Sequence, residues 1–242
     1  MLGLSLGVVV TLAAALALGA AVQGTIGLGL GLGAAPVTAL VAPHAVPELL
    51  LWLALAMAGG TLLHEREGVD WDGLWWALPA RIVGTVLGVL AVAALSPREI
   101  GIAVALMVLA TVALTARTVA LPVNRATLPV AGLVSGVSGT ATSIGGPPLA
   151  LLYQHHPPRV VRPTLAVYFV VGAAMSLVGL GLGGQLHLRW LGLALLLSPA
   201  LLVGFGVAVP LRSRLPVAVV RPAILAVCAA SALVLLVRSL VG

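Results

Sequence analysis

QGTIGLGLGLGAAP, from Gln23 to Pro36, and SGVSGTATSIGGPP, from Ser135 to Pro148, are glycine-rich interruptions inside long apolar sequence. Overlaid without gaps, 112 residues apart, they match at Gly24 and Gly136, Gly27 and Gly139, Gly33 and Gly145, and Pro36 and Pro148. A break of this kind frees backbone N–H and C=O groups. Inside a bilayer these are tolerated only within protein or beside a water-filled cavity. Corresponding breaks in two halves of a chain point to a transporter's binding site.

The surrounding sequence demands a membrane. Hydrophobic residues make up 61% of the 242 and charged residues 7%, too apolar a surface for a soluble core to hide. Apolar runs of spanning length lie at 47–63, 74–95, 100–116, 164–184, 190–211 and 222–240, beside the broken segments at 2–41 and 127–153. The first segment has no basic leader and no cleavage site followed by polar sequence, so it reads as retained in the membrane. The net charge of +6 comes from twelve arginines scattered over short loops. That pattern serves topology and offers no phosphate-tracking patch, so no nucleic acid is expected. Cys228, the one cysteine, lies in the last apolar run and reads as a small core residue. It excludes a disulfide framework and a cysteine zinc cluster, and no metal or cofactor is implied.

Segment 127–153 is short for two crossings of ~20 residues each. It is one broken crossing, or a hairpin whose arms rise ~18 Å, just past the middle of a ~30 Å core. Arginines separate the two. If both glycine segments return to their starting side, one face collects Arg66, Arg117, Arg125, Arg159, Arg162, Arg212, Arg214 and Arg221. The other face has Arg98, Arg189 and Arg238, with Arg81 set aside. If each segment crosses once, the split is five to six, against the usual asymmetry. The expectation is an all-α polytopic membrane protein of two repeats, 1–121 and 122–242. Each is a glycine-broken re-entrant hairpin plus three transmembrane helices. Three full spans per half is odd, so the second repeat is inverted. Pro79 and Gly84 match Pro199 and Gly204 at an offset of 120, and Pro47 matches Pro163 at 116.

The second break places Ser135, Ser138, Thr140, Thr142 and Ser143 among Gly136, Gly139, Gly145 and Gly146. Glycine permits close backbone approach, and Pro147 and Pro148 suit a restarting helix. That helix, and one restarting near Ala34–Pro36, would turn free N–H groups into the breaks and form an anion site. Gln23, aligned with Ser135, is the one amide there and a candidate oxyanion partner. Packing is the competing reading, since small residues also make close helix contacts in membranes.

Arg81 follows Trp75 and Trp76 by about one and a half turns. An intramembrane ionisable residue is a functional candidate by default, and snorkelling to the interface is the alternative. Glu48 begins a span, where it would complement a helix N-terminus. Glu65, Glu67, Asp70 and Asp72 read as a solvated loop. His155 and His156 read as loop residues or a pH-sensing gate. Gly136–Gly139 spells GxSG, an intramembrane serine protease motif, but the spans after Ser138 hold no histidine base.

The paired glycine–proline breaks, SGVSGTATSIGGPPLALLYQ and the downstream RPTL resemble the sulfite exporter TauE/SafE family of membrane permeases. The likeness covers essentially the whole chain, although GLGLGLGAAP departs from the GxGGG-P pattern usual in the first half. It implies a non-enzymatic carrier of a small anion such as sulfite or an organosulfonate, in a bacterial inner membrane. The candidate substrate-binding residues are Gln23, Gly24, Gly27, Pro36, Arg81, Ser135, Gly136, Ser138, Gly139, Thr140, Thr142, Ser143, Gly145, Gly146 and Pro147. A passive anion channel or an accessory membrane subunit, and self-association into an oligomer, stay open.

Overall fold

The computed structural model describes residues 4–26, 30–116, 121–214 and 217–241, without the side chains of 25–26 and 208–221. Gly27 and Arg117 lie outside them. The described residues form helices and no strand: α1 (Leu6–Ile26), α2 (Leu30–Val41), α3 (Glu48–His64), α4 (Trp71–Ala94), α5 (Pro97–Ala116), α6 (Thr127–Thr142), α7 (Pro147–Tyr153), α8 (Pro158–Leu182), α9 (Arg189–Arg214) and α10 (Val217–Val241). A single 3-10 turn, Pro43–Ala45, joins α2 to α3. Six described helices (α1, α4, α5, α8, α9 and α10) are long and apolar enough to cross a membrane; α1, expected as a hairpin arm, is one of them, and α3, expected as a span, is shorter at 17 residues.

Local chemistry sets the helix starts. Asp70 accepts the N–H of Gly73 and caps α4. Ser96 and Glu99 exchange bonds in a capping box that opens α5. Asn124 Oδ1 accepts the N–H groups of Ala126 and Thr127 before α6. Helix α8 starts at Pro158, six residues before the expected span, and contains Pro163. That proline lacks the N–H that would bond Arg159 O. The loop residue Gly68, at φ +84°, lies against this carbonyl.

Both glycine segments fold back on themselves. Residues 135 and 145 of an unbroken helix would stand ~15 Å apart. Here Ser135 Oγ donates to Gly145 O, and Ser138 Oγ donates to Ile144 O at 3.0 Å. Ser143 makes the turn in the left-handed region at φ 62°. In the first segment, a Cβ on Gly33 would come within 2.9 Å of Gly19 Cα, so α2 runs back along α1. One expectation is corrected there. Helix α2 begins at Leu30, and Pro36 lies inside it. Gln23 Oε1 accepts the otherwise orphaned N–H of Leu30 at 2.7 Å, so the helix restarts before the proline.

Helices α4 and α6 make the most extensive contact, parallel and glycine to glycine. A Cβ on Gly132 would strike Ala77 O, one on Gly84 would strike Leu133 O, and one on Gly88 would crowd Thr140. GxxxG pairs at Gly84–Gly88 and Gly132–Gly136 let the backbones meet this way. The other main pairs are α1 with α9, α1 with α2, α5 with α10, α3 with α8, α4 with α8, α3 with α9 and α2 with α10. Exchanging α1 for α6, α2 for α7, α3 for α8, α4 for α9 and α5 for α10 carries each of these onto a packed pair, except α2 with α10.

Side-chain contacts define two ends. At one, Tyr153 bonds Asp70, Arg162 pairs with Glu65 and Arg125 lies over the Trp76 ring. Both the start and the finish of segment 127–153 are therefore at the first residues of α4. At the other end, Glu48 meets His187 and Arg98 donates to Ser239 O and Leu240 O. The first end holds Arg66, Arg125, Arg159 and Arg162; the second holds Arg98, Arg189 and Arg238. Two acidic residues depart from expectation. Asp70 is a capping and bridging group, and both Glu48 oxygens turn to His187 instead of the N-terminus of α3.

Candidate functional site

The two breaks meet. A Cβ on Gly31, in the first turn of α2, would strike Ser143 O. Against this junction lies a cavity of ≈ 40 Å³, walled by Gln23, Leu30 and Gly31 from the first break and Gly139, Ser143, Gly145 and Gly146 from the second. Arg81, Leu51, Ala54, Phe169 and Ala173 complete the wall. Its volume admits water-sized groups.

Arg81 supplies the charge. Its residue is 3% exposed, so the side chain turns inward and does not snorkel. Nη1 donates to Ser135 Oγ at 2.7 Å, and the guanidinium carbon stands 4.5 Å from the centre of the Tyr168 ring. Nε has no hydrogen-bond partner. Among the described residues, no carboxylate lies within ion-pair distance of it. Its seat is Gly172, where a Cβ would fall on the guanidinium itself.

The model of the sulfite exporter TauE/SafE family matches residues 11–235. The chain belongs to the TauE/SafE family. It is a multi-pass membrane permease, and no curated protein and no solved structure matches it.

In this TauE/SafE permease the expected site residues divide. Gln23, Arg81, Gly139, Ser143, Gly145 and Gly146 share the cavity wall. Ser135 stands behind it and orients Arg81. Gly136 packs on the α4 backbone. The hydroxyls of Ser138 and Thr142 are spent on carbonyls, Ser138 on Val134 and Ile144 and Thr142 on Ser138. Thr140 shares a hydrogen bond with Ser176 at 2.8 Å, and Ser143 Oγ donates to Pro47 O. Gly24 lies in the last turn of α1; Pro36 and Pro147 are buried inside α2 and at the start of α7. With Pro147 and Pro148 at its first two positions, α7 lacks two of the N–H groups expected at its end.

The reading from sequence missed Tyr168, Gly172 and Ser176. Thr164, Tyr168, Gly172 and Ser176 recur every fourth residue along α8, a stripe of polar and small groups on one helical face. Gly172→Ala is expected to displace Arg81 and to cost about 1–3 kcal/mol of stability, as overpacking does. Unfolding of the purified protein in detergent, against wild type, measures it.

Proposed function

We propose that this permease carries a small oxyanion, sulfite or an organosulfonate, through the junction of the two breaks. Arg81 carries the reading: a buried guanidinium without a carboxylate partner, on the cavity wall. Arginine remains charged in proteins, and an unpaired charge away from water is costly. An anion in the cavity offsets that cost, whereas a cation adds to it. Gly139, Gly145 and Gly146 bring backbone within reach of the ligand, and Gln23 adds an amide. Ser135 positions the arginine, and Ser138, Thr140 and Thr142 hold the second break in shape.

In this reading the halves are 1–121 and 122–242, inserted in opposite orientations in a bacterial inner membrane, each with a re-entrant hairpin. The exchange symmetry of helix pairs and the fold-back of both glycine segments support it. So does the distribution of arginines, which puts the richer end in the cytoplasm. Proteoliposomes loaded with labelled sulfite or taurine are expected to exchange it, and to exclude choline. Choline flux, or no anion flux from folded protein, sinks the reading. Sidedness has its own check: in intact cells an impermeant maleimide should label Leu188→Cys and spare Glu67→Cys. Labelling of both would sink the inverted arrangement.

A further inference from the structure

Two hydrogen-bonded closures sit at opposite ends of the molecule, at equivalent places in its halves. At the arginine-rich end the N–H of Asp70, just before α4, donates to Thr164 Oγ1 at 2.9 Å. At the other end the N–H of His187, two residues before α9, donates to Glu48 Oε2 at 2.5 Å. Thr164 follows Pro163, and Glu48 follows Pro47. The separations, 187 − 70 = 117 and 164 − 48 = 116, differ by a single residue. Each closure ties the start of one helix to the residue after a proline in the other half of the chain. Each has a second bond: Tyr153 Oη donates to Asp70 Oδ2 at 2.5 Å, and His187 Nδ1 lies 3.0 Å from Glu48 Oε1.

The cavity lies between them. Leu51 and Ala173 of its wall also belong to an apolar cluster with Leu177 and Leu180. Leu186, the neighbour of His187, packs on that cluster. Apolar side chains and the Glu48 closure together cover the cavity towards the arginine-poor end. We propose that Glu48–His187 and Thr164–Asp70–Tyr153 are the latches of the permease's two gates, both shut in this arrangement. The inference rests on the transport reading above.

The latches are unequal. The segments carrying Glu48 and His187 bury three polar atoms without a protein partner: Trp52 Nε1, Gln185 Oε1 and Trp190 Nε1. The segments carrying Asp70, Tyr153 and Thr164 bury one, Tyr168 Oη, four residues past Thr164. Unpartnered buried polar atoms are costly, and contact with water relieves them. The arginine-poor gate is therefore the one that opens more readily.

The test places a cysteine at Ala173 in a Cys228→Ser chain. An impermeant maleimide is applied to vesicles of each sidedness. The latched chain should react slowly, and faster from the arginine-poor end. Glu48→Ala should raise the rate about ten-fold from that end alone, and Thr164→Val by a similar factor from the arginine-rich end alone. One variant opening both sides, neither variant opening any, or faster reaction of the latched chain from the arginine-rich end overturns the proposal. Should either variant fail to elute as folded protein, His187→Ala and Tyr153→Phe cut the same latches. Labelling needs no anion, so the two readings fail separately. A chain that labels as expected yet moves no anion keeps its latches and loses the transport reading; one that moves anions and ignores the substitutions does the reverse.

Discussion

Arg81→Gln is expected to lower anion flux about ten- to a hundred-fold while the protein remains folded. A hydrogen bond to a charged group is worth about 1.5–3 kcal/mol, and each 1.4 kcal/mol is a factor of ten. The variant should be no less stable than wild type, because it removes a buried charge that no carboxylate balances. That pairing, less transport with equal or greater stability, is the signature of a group kept for its ligand. Arg81→Lys should recover only part of the flux, since an ammonium lacks the fork that reaches Ser135 while the guanidinium carbon stays over the Tyr168 ring. Flux into proteoliposomes and melting in detergent, measured on one preparation, decide it. Wild-type flux in Arg81→Gln removes the residue from the site.

Gly84→Leu should be the most damaging substitution for the fold. Its Cβ would fall on Leu133 O, a backbone atom in the most extensive helix contact among the described residues. A flexible side chain could swing aside, but a helix backbone cannot. The cost is therefore at or above the upper end of the ~1–3 kcal/mol typical of overpacking. Yield of monodisperse protein should fall sharply. Gly192→Leu is the control, because nothing lies within 4 Å of a Cβ there. Equal yields of the two would mean that the α4–α6 contact is not what holds the bundle together.

Half of the cavity wall is legible in the sequence. Paired glycine breaks and one arginine inside an apolar span are conspicuous because lipid makes both expensive. The hydroxyls were less informative. Serine and threonine near a break serve a ligand or the broken backbone equally well, and composition does not say which carbonyl each will find. Ser138 and Thr142 bond locally, whereas Ser135 meets an arginine 54 residues away. Gly172 was silent for a related reason, since its use is the space it leaves to a side chain from another helix. The start of α2 was misplaced because proline is a strong local signal, and Gln23 outweighed it from seven residues upstream. The stripe from Thr164 to Ser176 could have been read, since its four-residue spacing needs no tertiary knowledge.

The pairing of α4 with α6, and of α1 with α9, bears on how the chain is made. Neither partner of these contacts is a neighbour in sequence. The ribosome delivers α1 first, yet α9 begins only at Arg189, after most of the polypeptide has entered the lipid. For most of its synthesis α1 must do without its principal companion. The glycine face of α4 likewise waits for Thr127–Thr142 to emerge. The α1–α9 and α5–α10 contacts are therefore late events, added to helices already inserted. A nascent chain halted before α9 would already hold α4 against α6 and α3 against α8, with α1 still lacking its α9 partner.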